Sequence, residues 1–258
     1  MPLLTINSSG LYHITADYTA TGPTDDAIRI APGVHYVTIL LYSRLVGASG
    51  PASLNSGIFW NGNAAINVIG MGGSIRGFQY GARGENTNIS SVRDVFIQDA
   101  FFRGIVLNGP KARITDNIVQ NVGGCTAYPN AYCMGIETQG ITTADNEAIV
   151  CRNVVQEVYG VGAGESVGIS LSDKCRGAIL KDNVVKNKVM RAGSFGLWVG
   201  GDSDPSGVGN HFEGFAFGAA FSSVPTGFLD ENTFRNCGQN ILHQNNIVIG
   251  PGDQPDAI

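Results

Sequence analysis

Five segments of this chain align on an asparagine: Asp116-Asn117-Ile118-Val119-Gln120-Asn121, Arg152-Asn153-Val154-Val155-Gln156-Glu157, Asp182-Asn183-Val184-Val185-Lys186-Asn187, Gly209-Asn210-His211-Phe212-Glu213-Gly214 and Glu231-Asn232-Thr233-Phe234-Arg235-Asn236. Two weaker copies, residues 98–103 and 72–77, precede them. The spacing is loose, 36 residues from Asn117 to Asn153 but 22 from Asn210 to Asn232. A second marker follows each copy, a glycine opening an alternating strand: Gly104-Ile105-Val106-Leu107, Gly135-Ile136-Glu137-Thr138, Gly168-Ile169-Ser170-Leu171, Gly196-Leu197-Trp198-Val199 and Gly218-Ala219-Ala220-Phe221. Repetition of this kind means stacked units, because no single unit can bury its own apolar face. Short period-two strands parted by Gly and Asn predict an all-β solenoid, a single-stranded right-handed parallel β-helix. Asn suits the bends, since it tolerates the left-handed region and bonds nearby backbone. Asn in the same place in each coil can also stack its amides into a ladder. The Val, Ile or Phe two residues later then points inward.

Composition agrees. Of 258 residues 36 are Gly, roughly twice the ordinary share, and only 14% are charged. Low charge and abundant Val, Ile and Phe exclude a disordered chain. A net charge of −5 argues against a nucleic-acid partner, which requires a basic stripe. No run reaches the roughly 18 apolar residues of a membrane span. Nothing interrupts the repeat, so residues 1–258 read as one domain, with 1–30 as an N-terminal cap and opening strands and 250–258 as a loosely docked tail. The start, Met1-Pro2-Leu3-Leu4-Thr5, shows no basic segment followed by an apolar one. The expected compartment is accordingly cytoplasmic, phage-borne, or outside the cell with a signal already removed.

Asn183-Val184-Val185-Lys186-Asn187 followed by Gly196-Leu197-Trp198-Val199 resembles the repeats of the pectin-lyase-like superfamily of parallel β-helices, including its NosD-like members. The resemblance covers about residues 10–248 and implies the fold. It leaves function open among lyases, hydrolases, epimerases, tailspikes and binding modules. The Asn-Thr-Asp, Asp-Asp, Gly-His-Gly and Arg-Ile-Lys elements of polygalacturonase-type hydrolases are absent. Tyr80-Gly81 continues as Ala82-Arg83, not as the Asp-Pro-His of alginate epimerases.

Alternation within the glycine-led strands places the residue after Gly inward and the next one outward. One outer row then reads Arg83, Val106, Glu137, Ser170, Trp198 and Ala220. A second, two residues on, reads Glu85, Asn108, Gln139, Ser172, Gly200 and Ser222. With coils about 4.8 Å apart, this face carries polar groups at roughly the repeat of a sugar chain. Glu137 is the acidic candidate, with Tyr159 as a second proton-handling group. Arg83, with Lys111 behind it, would neutralise a uronate carboxylate. Trp198 would stack on a sugar ring, and Ser170, Gln139 and Asn108 would bind hydroxyls. Insertions at 122–134, 158–167 and 188–195, carrying Tyr128, Tyr132, Glu165 and Arg191, should wall the same face.

Asp202-Ser203-Asp204-Pro205-Ser206-Gly207, with Glu213 twelfth, fits a calcium-loop pattern. The competing reading is an Asp/Gly turn. Asp202, Asp204, Ser206 and Glu213 would be the ligands; no cofactor is otherwise required and no other metal set is visible. The thiols of Cys125 and Cys133 flank one loop and are consistent with a staple or with two separate thiols. His13, His35, His211 and His243 have no metal-ligand spacing. Two functions follow. One is an enzyme acting on an acidic polysaccharide by β-elimination or epimerisation. The other is a non-catalytic polysaccharide-binding or structural module of the tailspike or adhesin type.

Overall fold

The computed structural model describes residues 4–48, 50–141, 146–222, 226–242 and 247–253. Among them there is no helix, and the strands fall into three parallel sheets of ten, ten and nine strands. Successive strands join the three sheets in turn, so each sheet pairs every third strand. The chain winds as a right-handed parallel β-helix. One coil shows the plan: Arg103–Asn108 in the first sheet, Arg113–Thr115 in the second and Ile118–Gly123 in the third. The opening strands Leu4–Ile6, Gly10–Ile14 and Tyr18–Thr19 are themselves the first coil, one in each sheet.

The asparagines do form a ladder inside the corner between the second and third sheets. Each side-chain amide donates to the Oδ1 of the next: Asn117 to Asn153 at 2.9 Å, Asn153 to Asn183 at 3.0 Å, Asn183 to Asn210 at 2.8 Å and Asn210 to Asn232 at 2.8 Å. Each Oδ1 also accepts the backbone N–H of the ladder residue before it, and each Nδ2 reaches back to a carbonyl such as Val150 O. The buried carboxylate of Asp253 ends the run, accepting Asn232 Nδ2 at 3.0 Å. The bend itself falls one residue earlier than expected. Asp116, Arg152, Asp182, Gly209 and Glu231, each preceding a ladder asparagine, carry φ between 55° and 67°. Asn therefore satisfies the corner while its neighbour turns it.

The two sequence markers prove to be one packing unit. Val119, Val155, Val185 and Phe212, two residues after the asparagines, are fully buried. Their side chains fill the space a Cβ would need at the strand-opening glycines. A Cβ on Gly168 would lie 2.1 Å from Val185 Cγ1, and one on Gly104 2.4 Å from Val119 Cγ1. Ile105, Ile136, Ile169, Leu197 and Ala219 complete the core beside them. The five cysteines are free thiols; Cys133 donates weakly to the carbonyls of Phe101 and Ala131, not to Cys125.

Two measurements test this packing. Asn183→Ala removes the acceptor of the Asn153 N–H and of one of its two Nδ2 hydrogens in a buried corner and should cost about 3–5 kcal/mol in urea unfolding; a loss under about 1 kcal/mol would show that the ladder does not hold the corner. Gly168→Ala should cost about 1–3 kcal/mol by overpacking. Adding Val185→Ala should return part of that loss, and strict additivity of the two changes would contradict the contact.

Candidate functional site

The outer rows of the first sheet are the expected ones. Arg83, Val106, Glu137, Ser170, Trp198 and Ala220 stand in register on successive coils, and Asn108 stands beside Gln139. What the rows hold is different. Glu137 is only 8% exposed, because Arg103, starting the preceding strand, reaches across a coil to it. Arg103 Nη1 donates to Glu137 Oε2 at 2.8 Å. Its Nε lies 2.8 Å from the same oxygen but misaligned, and has no acceptor of its own. Ser172 Oγ donates to Glu137 Oε1 at 3.0 Å and lies 3.0 Å from Ser170 Oγ. Both carboxylate oxygens are thus engaged.

Arg83 is also committed. Its Nε donates to Glu85 Oε1 at 2.9 Å, and its guanidinium sits 4.2 Å from the Tyr80 ring centroid. Arg103 stacks 4.2 Å from the ring of Phe102, which meets Tyr80 edge-on at 5.6 Å and Tyr128 at 5.3 Å. Tyr80, noted in the sequence only for its departure from the epimerase motif, is the group that sequence reasoning missed. Burial pushes its hydroxyl up to about 12, against the lowering pull of Arg83 and Arg103. Tyr128 and Glu137 are near enough to act on it too. Tyr80, Arg83, Arg103, Tyr128 and Glu137 therefore make one cluster drawn from three coils and an insertion.

Several expected members sit elsewhere. Ser170 is fully covered between Glu137 and Trp198 and offers no hydroxyl to a ligand, a correction that follows from the size of its two row neighbours. Trp198 is half-buried, lying over Gly200, whose Cβ would fall 2.2 Å from its ring. It packs beside an outer apolar cluster of Met134, Val167, Phe195 and Ala220. Asn108 and Gln139 open instead into a recess of about 470 Å³ with Glu85, Asp173 and Lys174, at the edge toward the second sheet. Asn108 Oδ1 is covered there without a hydrogen-bond partner.

Tyr159 stands behind the first insertion, against Gly123 and Gly124 and under Arg191 at 4.9 Å. Burial raises its hydroxyl, with Cys133 adding to the rise, so it is no base at neutral pH, and it does not join Glu137. Lys111 lies in a recess of about 540 Å³ on the second sheet with Arg113 and Arg176. The insertions do form a linked wall, since Asn130 Oδ1 accepts from Ala163 N–H at 3.0 Å. Within it, burial raises the Glu165 carboxyl above the usual range, and Glu165 makes no ion pair among the described residues.

The calcium ligands do not converge. Asp202 pairs with Arg176 at 3.2 Å, and Asp204 accepts from Gly177 N–H. Glu213 stands in the third sheet, its carboxyl held below the usual range by His211 and Lys186. Among the described residues no three His, Cys, Asp or Glu side chains gather as a metal site. His211 contacts Glu213, His13 stacks on Tyr42, His35 accepts from Ala64 N–H, and His243 lies outside the described residues.

No family model matches the chain, and no curated protein matches its sequence. Solved structures do match its backbone. XylC, solved with xylose, superposes with a TM-score of 0.50 at 11% identity, over 81% of this chain and 43% of that one. What the two share is the right-handed parallel β-helix. The Dettilon tailspike protein gives a TM-score of 0.43 at 11% identity, over 90% of this chain and 60% of its own. An alginate lyase from Paenibacillus sp. str. FPU-7 gives 0.41 at 12%, over 88% and 93%. The chain thus spans about half the length of the first two, and the likeness is one of fold. No helix among the described residues is long and apolar enough to cross a membrane.

The Tyr80 shift sets an alkaline limit. Its folded value exceeds the unfolded one of about 10, so the stabilisation is complete below that pH and is lost as pH rises toward 12. Burial of Cys133 (about 11) and Cys175 (about 12) adds losses beginning near pH 9. Tyr80→Phe should flatten the fall in unfolding free energy between about pH 10 and 12, and an unchanged profile would mean that the hydroxyl is solvated.

Proposed function

We propose that this protein acts on an acidic polysaccharide at the outer face of the first sheet, by β-elimination or by epimerisation of a uronate. The supporting observation is the cluster of two arginines, a tyrosine and a carboxylate, with a tryptophan two coils on. Removing the proton beside a uronate carboxyl requires positive charge on that carboxyl and a base at the carbon. Arg103 and Arg83 supply the charge, the substrate carboxylate taking the place of Glu137 on Arg103. Released from Arg103, Glu137 takes the C5 proton. Tyr80, protonated through neutral pH, gives its proton to the O4 leaving group as the C4–O4 bond breaks. In epimerisation it gives that proton to the opposite face of C5. Trp198 stacks on a neighbouring sugar, and Gln139 and Asn108 meet hydroxyls from the edge recess. XylC, solved with xylose, lends the sugar class to this type of scaffold.

A second reading, glycan binding without turnover, is favoured by one observation: Glu137 and Arg83 already have protein partners. Turnover separates the two. Wild-type protein with polygalacturonate or alginate should give the ultraviolet absorbance of unsaturated uronates, or epimerised residues by proton NMR. Glu137→Gln should lower kcat by about 100-fold or more, the usual share of a general base. It also leaves Arg103 unpaired, at a cost of about 3–5 kcal/mol. The Arg103→Gln, Glu137→Gln pair serves as the folded control, and Tyr80→Phe should lower kcat without that penalty. Saturable binding with no product from the wild type would establish the second reading; neither binding nor product would overturn both.

A further inference from the structure

The outer face of the third sheet carries a row that the proposed function does not use. Arg76, Gln98, Gln120, Gln156, Lys186 and Glu213 stand in register on successive coils, all outward. Against the insertion after Lys186 this row opens into a cleft of about 380 Å³, room for a short run of sugars and far more than one ion needs. Gln120, Gln156, Lys188 and Met190 line it.

The contrast with the interior decides how this row is read. Inside the solenoid every ladder asparagine bonds to the next. Outside, among the described residues, the side-chain amides of Gln98, Gln120 and Gln156 bond neither to one another nor to any other group. They are not part of the scaffold's own hydrogen bonding. Those of Gln120 and Gln156 face the cleft, one coil of about 4.8 Å apart. Beside them Glu213 is already matched by Lys186 at 3.4 Å, His211 at 3.3 Å and Arg235 at 3.7 Å. Glu157 accepts the backbone N–H of Lys188. Among the described residues the Lys188 ammonium makes no ion pair, and Met190, 47% exposed, stands as an apolar wall. Repeating amides suit hydroxyls along a chain, the ammonium suits a carboxylate, and the thioether suits the C–H face of a ring.

We infer that the third-sheet cleft is a second binding site, for a linear acidic glycan lying along the solenoid axis, separate from the first-sheet cluster. It rests on the polysaccharide reading above and adds a place where the polymer is held without reacting. Two sites on one rigid body raise the affinity for long chains over short ones, because the second contact is intramolecular.

The test titrates oligogalacturonate and oligomannuronate, as hexamers and as long polymer, into wild type, a Gln120→Ala, Gln156→Ala, Lys188→Ala variant, and the Arg103→Gln, Glu137→Gln variant. The three cleft substitutions touch half-buried outward amides and a surface ammonium, and circular dichroism should confirm the fold. The cleft variant should bind polymer at least tenfold more weakly while any turnover of hexamer stays at the wild-type rate. Wild-type affinity for polymer in the cleft variant, with loss confined to the first-sheet variant, would overturn this inference and leave the proposed function standing. Loss confined to the cleft variant, with no turnover by any form, would keep the cleft and remove the first-sheet reading. Equal binding of neutral xylo-oligosaccharides would overturn the assignment of an acidic ligand.

Discussion

The corner between the second and third sheets is where this solenoid is decided. A sharp bend inside a protein leaves backbone N–H groups facing inward, and each must find an acceptor or cost free energy. One asparagine per coil meets that need on both sides, since its Oδ1 accepts from the coil below while its Nδ2 donates to the coil above. The run from Asn117 to Asp253 is therefore continuous across six coils' corners, and it ends on a carboxylate, which accepts without needing to donate. Burial raises that carboxyl and Asn232 pulls it back, as expected of an anion placed for its lone pairs.

The phase of everything else follows from this corner. Two residues past each asparagine a Val or Phe turns inward, and the strand of the first sheet that meets it has a glycine at the point of contact. That glycine fixes which residues of its strand face out. The rows on the first sheet are thus set by packing in the core, not by any preference of the outer residues themselves. A solenoid built this way is free to vary its outer face, and most of the variable spacing of the repeat is absorbed by insertions between the third and first sheets, the longer link from Gln139 to Ile149 between the first and second adding to it.

The outer faces show two uses of that freedom. On the first sheet charged groups are drawn into pairs and covered, with Arg103 and Glu137 sharing a site where only 15% and 10% of their side chains are exposed. Such a pair loses its Coulombic gain to desolvation unless neighbouring hydrogen bonds complete it, and Ser172 supplies one of these. On the third sheet the amides of Gln98, Gln120 and Gln156, half-buried, stay unpaired among the described residues. One face stores electrostatic energy in closed pairs, and the other offers open hydrogen-bonding groups.

The sequence by itself determined the solenoid, the ladder, the inward residues and the composition of the first-sheet rows, because each depends on a local pattern repeated at the same place in every coil. The left-handed bend was misplaced by one residue, since Asn and Asp both tolerate it and only the backbone path shows that Asp116 or Arg152 takes it. Partnerships across coils were the part that only the tertiary structure decided. Arg103 begins a first-sheet strand, and its long side chain crosses to Glu137 on the next coil. Tyr80 carried no signal in the sequence, and only the fold buries it and gathers two guanidiniums around it. Tyr159, Lys111 and Glu213, plausible by residue type, were carried to other faces. Row membership follows from the alternation of a single strand. Contact within a row follows from side-chain length, register and the course of the insertions, and those exist only once the coils are stacked.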